Sequence, residues 1–372
     1  MESSNGIYIL LIILSVSFAW IAGKSAVKDN KNLWNTPSFY MLLLTFSFIV
    51  GTRYMVGVDY PEYQNIIELG KSHYYYENME YLNRVLVDII NSLNLKFYWW
   101  FIFMAFVQIF FILIAVKDNF KQAFPWIVLC FLMLYLEFYL NGVRQGAALS
   151  CFICAATFIK ERKLYHYLIF IIVGSMFHKS ILVWLPMYWI VNREFLKDIK
   201  IQYLIFFCSI IFLPILMNKI VNFVLPVLSF IGFEDQARSL SDQDGGIIAV
   251  GSGLGVALRY LRRITIIAYY NKLKAFIGKE LFVPLYNLFF IGIIFDAATM
   301  EIVYLNRMVM YCAIFEIFIF AALLYYMTKT KNQLDRMVIF VLFIPNFILY
   351  IFLPLATGLL RWYTIWDAPY II

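Results

Sequence analysis

Arg53, Arg144, Arg259 and Arg307 each sit at or just inside the end of a long apolar run. A charge in such a place is costly and tends to be kept for function. Guanidinium offers a planar, permanently charged fork that grips phosphate bidentately, which ammonium cannot do. The chemistry suggested is the holding of a phosphate or diphosphate. Three short polar patterns accompany these arginines. The first is Arg53-Tyr54-x-x-Gly57-x-Asp59-x-x-x-Tyr63, with Tyr60-Pro61 turning the chain. It gathers an arginine, a carboxylate and aromatic faces on which a sugar could stack. The second is Glu137-x-x-x-Asn141-Gly142-x-Arg144-Gln145-Gly146-Ala147-Ala148, polar at a junction and then small enough for close helix approach. The third is Phe177-His178-Lys179-Ser180, a polar hairpin between two short apolar runs.

Each pattern also has a plain structural reading. An arginine near an aspartate can be a salt bridge, and a histidine at a span end is more often a capping residue than a catalyst. Arg84 and Arg262 read as residues reaching for lipid headgroups. Of the three histidines, His166 reads as interfacial and His73 falls beside Tyr74-Tyr75-Tyr76. His178 is the first candidate for a general base, since imidazole titrates near 6.5. Asp59 is the second, orienting an acceptor or acting as base if burial raises its pKa. Cys151 and Cys154 form a CxxC without partner histidines, and all five cysteines fall in apolar runs. They read as packing residues. Asp242-x-Asp244 is the nearest outward carboxylate pair and reads as a solvated loop. No metal and no cofactor is expected.

The elements that must position these residues are membrane helices. The chain is 63% hydrophobic and 14% charged, with a mean hydropathy of +0.78. Recurrent long apolar runs predict an all-α polytopic membrane protein, where a barrel would show short alternating segments. Spans fall near 7–23, 37–52, 97–116, 122–140, 146–159, 164–178, 180–192, 201–217, 254–270, 281–298, 307–327 and 337–357, about 12 in all. The first lacks a basic leader and reads as a retained span.

Loops 24–36, 117–121, 160–163, 193–200, 271–280 and 328–336 hold 14 of the 18 lysines but only three of the 12 arginines. The positive-inside rule makes these loops cytoplasmic and gathers the other nine arginines on the outer face. Two outward, periplasmic loops are long, about 53–96 and 218–253. The first contains helical periodicity from Met79 to Ile90, suited to the interface. The second carries glycines from Gly245 to Gly255 and reads as mobile cover. It lacks the strand–helix context of a nucleotide fingerprint. No internal repeat is visible, and the net charge of +7 is spread over loops, which argues against nucleic acid. Residues 1–372 read as one transmembrane domain.

Taken in order, Arg53 to Tyr63, Asn141 to Gln145 and Phe177 to Ser180 resemble the motifs of the EpsG-like group of bacterial polysaccharide polymerases. Asn306-Arg307, and Arg361-Trp362-Tyr363 before Pro369-Tyr370, are similar to that group as well. Each motif is short, so the resemblance rests on the set, which covers most of the chain. It implies Wzy-type chemistry on a C-type glycosyltransferase-like fold in the bacterial inner membrane, with a periplasmic site. A glycan on undecaprenyl diphosphate would be transferred onto the non-reducing end of a lipid-linked repeat unit. Arg53, Arg144, Arg259, Arg307, Asn141, Gln145 and Tyr63 would bind the diphosphate or sugar, and His178 and Asp59 would act in catalysis. Partners would be lipid-linked oligosaccharides, membrane lipids and a chain-length regulator. The rival readings are a lipid-linked oligosaccharide flippase and a membrane O-acyltransferase.

Overall fold

The computed structural model of the chain describes residues 5–116, 118–230, 253–299, 303–352 and 363–364. It divides into two compact units, one of Met1–Tyr188 with Phe320–Ile372 and one of Trp189–Ile319. The expected all-α membrane architecture is present. Six helical stretches are long and apolar enough to cross a membrane: Gly6–Lys28, Tyr98–Ala115, Ile199–Leu216, Lys279–Thr299, Leu305–Lys329 and Gln333–Ile351. Pro37–Gly51, Phe120–Leu134 and Leu164–Ser175 are shorter apolar helices. That is a smaller set than the 12 expected spans, and the differences have local causes.

In the first unit, α1 (Asn5–Lys28), α2 (Pro37–Gly51), α5 (Tyr98–Ala115), α8 (Val143–Lys160) and α9 (Leu164–Ser175) pack neighbour to neighbour, with α6 (Phe124–Leu134) against α1. Tyr8, Leu11, Ser15, Ala19, Ala22 and Ala26 are buried along α1 at helical spacing, while Leu10, Ile13 and Trp20 stay exposed. An apolar exposed stripe of this kind suits lipid rather than water. Close approach relies on small residues. A side chain at Gly51 would strike the Ile102 backbone, and one at Gly174 would meet Ile181 and Cys151. α8 carries the Gly146-Ala147-Ala148 run and is buried nearly all round, so Cys151 and Cys154 do pack as helix residues.

The expected span at 122–140 breaks at Tyr135 into α6 and α7 (Leu136–Asn141). The expected span at 180–192 is not one helix. It is a 3-10 turn, Lys179–Trp184, and a four-residue helix, α10 (Met187–Ile190), too short to cross because Pro186 lacks the N–H a continuous helix needs. The expected outer loop 53–96 is largely ordered, with α3 (Tyr60–Leu69) and α4 (Tyr81–Ser92), the latter where helical periodicity predicts it. β1 (Arg53–Tyr54) pairs antiparallel with β2 (Tyr363–Thr364), Arg53 opposite Thr364.

In the second unit, α11 (Ile199–Phe230) runs 32 residues and packs on α14 (Lys279–Thr299), which packs on α15 (Val303–Ala313). A side chain at Gly292 would strike the backbone at Ala313. The helix α11 extends into the stretch expected to begin an outer loop at 218, and residues 231–252 of that loop lie outside the described residues. The apolar run expected as 254–270 forms α12 (Leu254–Ala268), then α13 (Tyr270–Ile277). The run at 307–327 contains a break between α15 and α16 (Glu316–Lys329), and α17 (Gln333–Phe347) ends in a π turn at Ile348–Phe352.

A polar tie closes the 191–198 segment of the second unit. Asn287 donates to the carbonyls of Val191 (2.7 Å) and Arg193 (2.8 Å), and Tyr286 bonds Gln202. Glu194 accepts from Lys274 (2.7 Å) and Tyr270 (2.9 Å) and pairs with Lys279 (3.1 Å). The Lys274 hydrogen bond, with Lys279 and Tyr270 beside it, holds the Glu194 carboxyl down to about 2, against an ordinary 4.5. A carboxylate lowered by folding stabilises the fold above its unfolded pKa and loses that stabilisation as pH falls through the folded one. Wild type is expected to melt above Glu194→Gln near neutral pH, with the gap closing between pH 4.5 and about 2. Thermal melts in detergent across that range check it, and a constant gap would show that charge is not its source.

Candidate functional site

Arg53 lies just past Thr52, the C-cap of α2, and is 1% exposed. Its Nη1 donates to the Val50 carbonyl at 2.7 Å, its Nε to Val56 at 3.3 Å and its Nη2 to Leu140 at 3.0 Å. The guanidinium lies over Phe101, 4.8 Å from the ring centre, and 5.8 Å from Tyr60. All three nitrogens are engaged by backbone. Gly57 adopts φ +105°, where other residues are strained, and a side chain there would lie 2.9 Å from the Leu140 oxygen. The Asp59 amide donates to Asn141 Oδ1 at 3.1 Å. The first and second sequence patterns are therefore locked together.

The second pattern survives its own break because Gln108 bridges it. Gln108 Nε2 donates to the carbonyls of Tyr139 (3.3 Å) and Val143 (2.9 Å), on either side of Gly142. Arg144 then projects from the first turn of α8. Its Nη1 donates to Glu80 Oε2 at 2.8 Å, and its guanidinium carbon lies 5.8 Å from the Tyr63 ring centre and 5.6 Å from that of Tyr75. The Arg144 Nε is buried and has no hydrogen-bond partner among the described residues. Gln145 is buried next to it. Below the arginine, Tyr63 leans on Trp100 with centroids 5.2 Å apart, and Tyr60 stacks flat on Phe101 at 4.6 Å.

The third pattern joins through α4. Leu82 N donates to the Met176 carbonyl at 3.1 Å and Asn83 Nδ2 to Phe177 at 2.9 Å. Lys179 N donates to Glu80 Oε1 at 3.4 Å. His178 caps the 3-10 turn: its Nδ1 accepts the Ser180 amide at 3.3 Å and lies 2.6 Å from the Ser180 hydroxyl. A ring nitrogen accepting an amide carries no proton in neutral imidazole, so that proton sits on Nε2. Nearby, Tyr76 donates to Asp88 at 2.7 Å, and burial with that carboxylate pushes its phenol up to about 12.

The second unit has its own charged cluster. Arg262 Nε donates to Glu316 Oε1 at 2.6 Å, and Arg263 reaches Asp296 Oδ2 at 2.6 Å and Glu316 Oε2 at 3.4 Å. Arg259 Nη1 lies 3.5 Å from the same Asp296 oxygen, and Asn306 donates to Asp296 Oδ1 at 3.0 Å. Both carboxylates and both central arginines are at most 3% exposed along their side chains, whereas Arg259 is 32% exposed. Arg262, read from sequence as a lipid-facing residue, is instead an internal ion pair, because Glu316 at the α15–α16 break offers it an acceptor. Arg307 is exposed beside Asn306.

Of the expected site residues, Arg53, Asp59, Tyr63, Asn141, Arg144, Gln145 and His178 belong to the first unit, and Arg259 and Arg307 to the second. Sequence reasoning missed Glu80, Asp296 and Glu316. The last two are lone carboxylates inside apolar runs, a signal in itself. Glu80 lies in a polar stretch and carries no such mark. Among the described residues no cluster of His, Cys, Asp or Glu could hold a metal ion.

These features define a polytopic membrane protein with arginines buried at span ends and an aromatic bed beneath one of them. The EpsG family model matches residues 37–364, from the first residue of α2 to the last of β2, and the chain belongs to that family of Wzy-like polysaccharide polymerases. No curated protein and no solved structure matches it.

Arg53 within this site is expected to be structural. Arg53→Lys keeps the charge but leaves buried carbonyls unpaired, at a cost of about 1–3 kcal/mol each. Membrane abundance and thermal midpoint should fall while the folded fraction still binds substrate. A variant with normal stability and abolished binding would reverse that assignment.

Proposed function

We propose that this protein polymerises undecaprenyl-diphosphate-linked oligosaccharide repeat units at the extracytoplasmic face of the bacterial inner membrane, transferring the growing glycan onto the non-reducing end of a new unit. The observation that carries the proposal is Arg144: a buried guanidinium whose Nε has no partner among the described residues, framed by tyrosines, where three motifs meet. Family membership supports the reaction class. The distribution of lysines and arginines supports the outward orientation.

In this reaction an acceptor sugar hydroxyl attacks the anomeric carbon of the donor. A new C–O bond forms, the bond to diphosphate breaks, and undecaprenyl diphosphate leaves. The leaving group develops negative charge, which a fixed guanidinium in a water-poor site stabilises without reorganising. Arg144 is assigned this role, with Gln145 and Asn141 beside it; in the second unit, taken by itself, Arg259 and Arg307 are assigned as candidate phosphate-binding residues. Tyr63 and Tyr75 supply faces for sugar stacking. The hydroxyl proton needs an acceptor. Asp59 is assigned that role ahead of His178, because the His178 Nδ1 lone pair is already spent on the Ser180 amide. A chain-length regulator would act on this polymerase from outside the chain described.

Purified protein incubated with synthetic lipid-linked repeat unit should yield a ladder of polymer lengths. Arg144→Lys should insert normally and lose most of that ladder, since the bidentate fork is gone while the charge persists; normal polymerisation by this variant would remove the diphosphate clamp. For the proton acceptor, Asp59→Asn should lose turnover by about 10²–10⁴-fold while still binding substrate. His178→Asn, which can still cap the turn, should remain active. A dead His178→Asn beside an active Asp59→Asn would exchange the two roles.

A further inference from the structure

We propose that Glu80 is a positioning residue that aims Arg144 and couples it to the His178 hairpin; this rests on the reading of Arg144 given above. Glu80 is 8% exposed and sits at the N-cap of α4 in extended backbone, yet its side chain makes no capping hydrogen bond to the helix backbone. It reaches away instead. One carboxylate oxygen takes Arg144 Nη1 at 2.8 Å and lies 3.5 Å from Asn83 Nδ2; the other takes the Lys179 amide at 3.4 Å. One carboxylate thus joins an arginine 64 positions away to a hairpin 99 positions away.

The way Glu80 holds Arg144 matters for what Arg144 can do. A carboxylate taking both nitrogens of one fork would leave a closed ion pair with little to offer an anion. Here the Glu80 contact is to Nη1, Tyr63 and Tyr75 also bond the guanidinium, and Nε stays unpartnered in buried surroundings. Nε is a donor that costs free energy to leave unmade, so the site is built with a hydrogen bond in reserve. An oxyanion approaching Nε would complete the guanidinium without displacing Glu80.

The same helix also sets the aromatic frame. Tyr76 is anchored to Asp88 of α4 at 2.7 Å, and its neighbour Tyr75 lies over the Arg144 guanidinium. Asn83, on the first turn of α4, holds the Phe177 carbonyl next to His178. Glu80, Asn83 and Asp88 therefore make α4 a bracket that fixes the arginine, one aromatic face and the hairpin at once. Glu80 need not touch substrate. Its effect is to keep the Nε of Arg144 pointing one way, and misplacement of a catalytic group by about 1 Å can cost roughly 10²-fold in rate.

The test is a double-mutant cycle on full-length protein in nanodiscs, with synthetic lipid-linked repeat unit, reading turnover, substrate binding and thermal midpoint. Glu80→Gln, whose amide oxygen can still accept from Arg144, is expected to insert with a lowered thermal midpoint, and its folded fraction to bind substrate within about threefold and to lose about 10- to 100-fold in kcat. Placed on Arg144→Lys, the same change should add no more than about twofold, because the aimed group is already altered. Should Glu80→Gln fail to accumulate, Glu80→Asp, which keeps the charge and retracts it by one methylene, is read in the same way. Wild-type turnover by the Glu80 variant while Arg144→Lys is impaired overturns the positioning role alone. Fully additive losses overturn it too. An unimpaired Arg144→Lys overturns both the role of Glu80 and the diphosphate reading beneath it.

Discussion

A guanidinium buried among apolar helices must find its acceptors inside the protein, since lipid and side-chain hydrocarbon offer none. Much of the architecture answers that demand. Arg53 is satisfied by three carbonyls from two distant stretches, which is why the turn after α2 and the end of α7 are held together. Arg262 and Arg263 are satisfied by Glu316 and Asp296, which join α12 to α14 and to the start of α16. Breaking a buried pair by removing one partner typically costs about 3–5 kcal/mol, so these ties are strong constraints on helix placement even where their net contribution is small.

The surplus of charge is informative in both units, each taken alone. In the second, three arginines face two carboxylates, and the arginine with the weakest tie, Arg259, is the one left partly exposed. In the first, Arg144 has one carboxylate on one nitrogen and a buried donor without a partner. A protein that merely buried its charges would close both. Arg53 differs in that all three of its nitrogens meet carbonyls, so its bonding is complete. His178 likewise holds a turn together through Nδ1, which accepts the Ser180 amide.

Backbone breaks accompany these sites. α6 stops at Tyr135, α7 at Gly142, and α15 gives way to α16 next to Glu316. Each break frees amides and carbonyls that a continuous helix would consume, and non-helical backbone in a membrane protein is tolerated where protein surrounds it. Gln108 satisfies two of the freed carbonyls at the α7–α8 junction. Small residues do the complementary work, letting α2 and α5 meet at Gly51 and α14 and α15 at Gly292.

Composition alone determined the class, because 63% hydrophobic residues in recurrent runs have few homes but a bilayer. Local spacing placed a helix at 79–90, found at 81–92, the polar hairpin at His178 and the three motifs that share one unit. Counting spans went less well. Apolar length does not register a Pro186, a Tyr135 break or an Arg262 that turns inward, since a run reads the same whether its backbone is continuous or not. The partners of the arginines were invisible for a different reason. Glu80 and Arg144 lie 64 residues apart, and Arg53 is met by a carbonyl 87 residues away, so no window of sequence contains both sides of either bond. Sequence determined which residues carry fixed charge; only tertiary packing decided which of them are spent on the fold and which keep a hydrogen bond unmade.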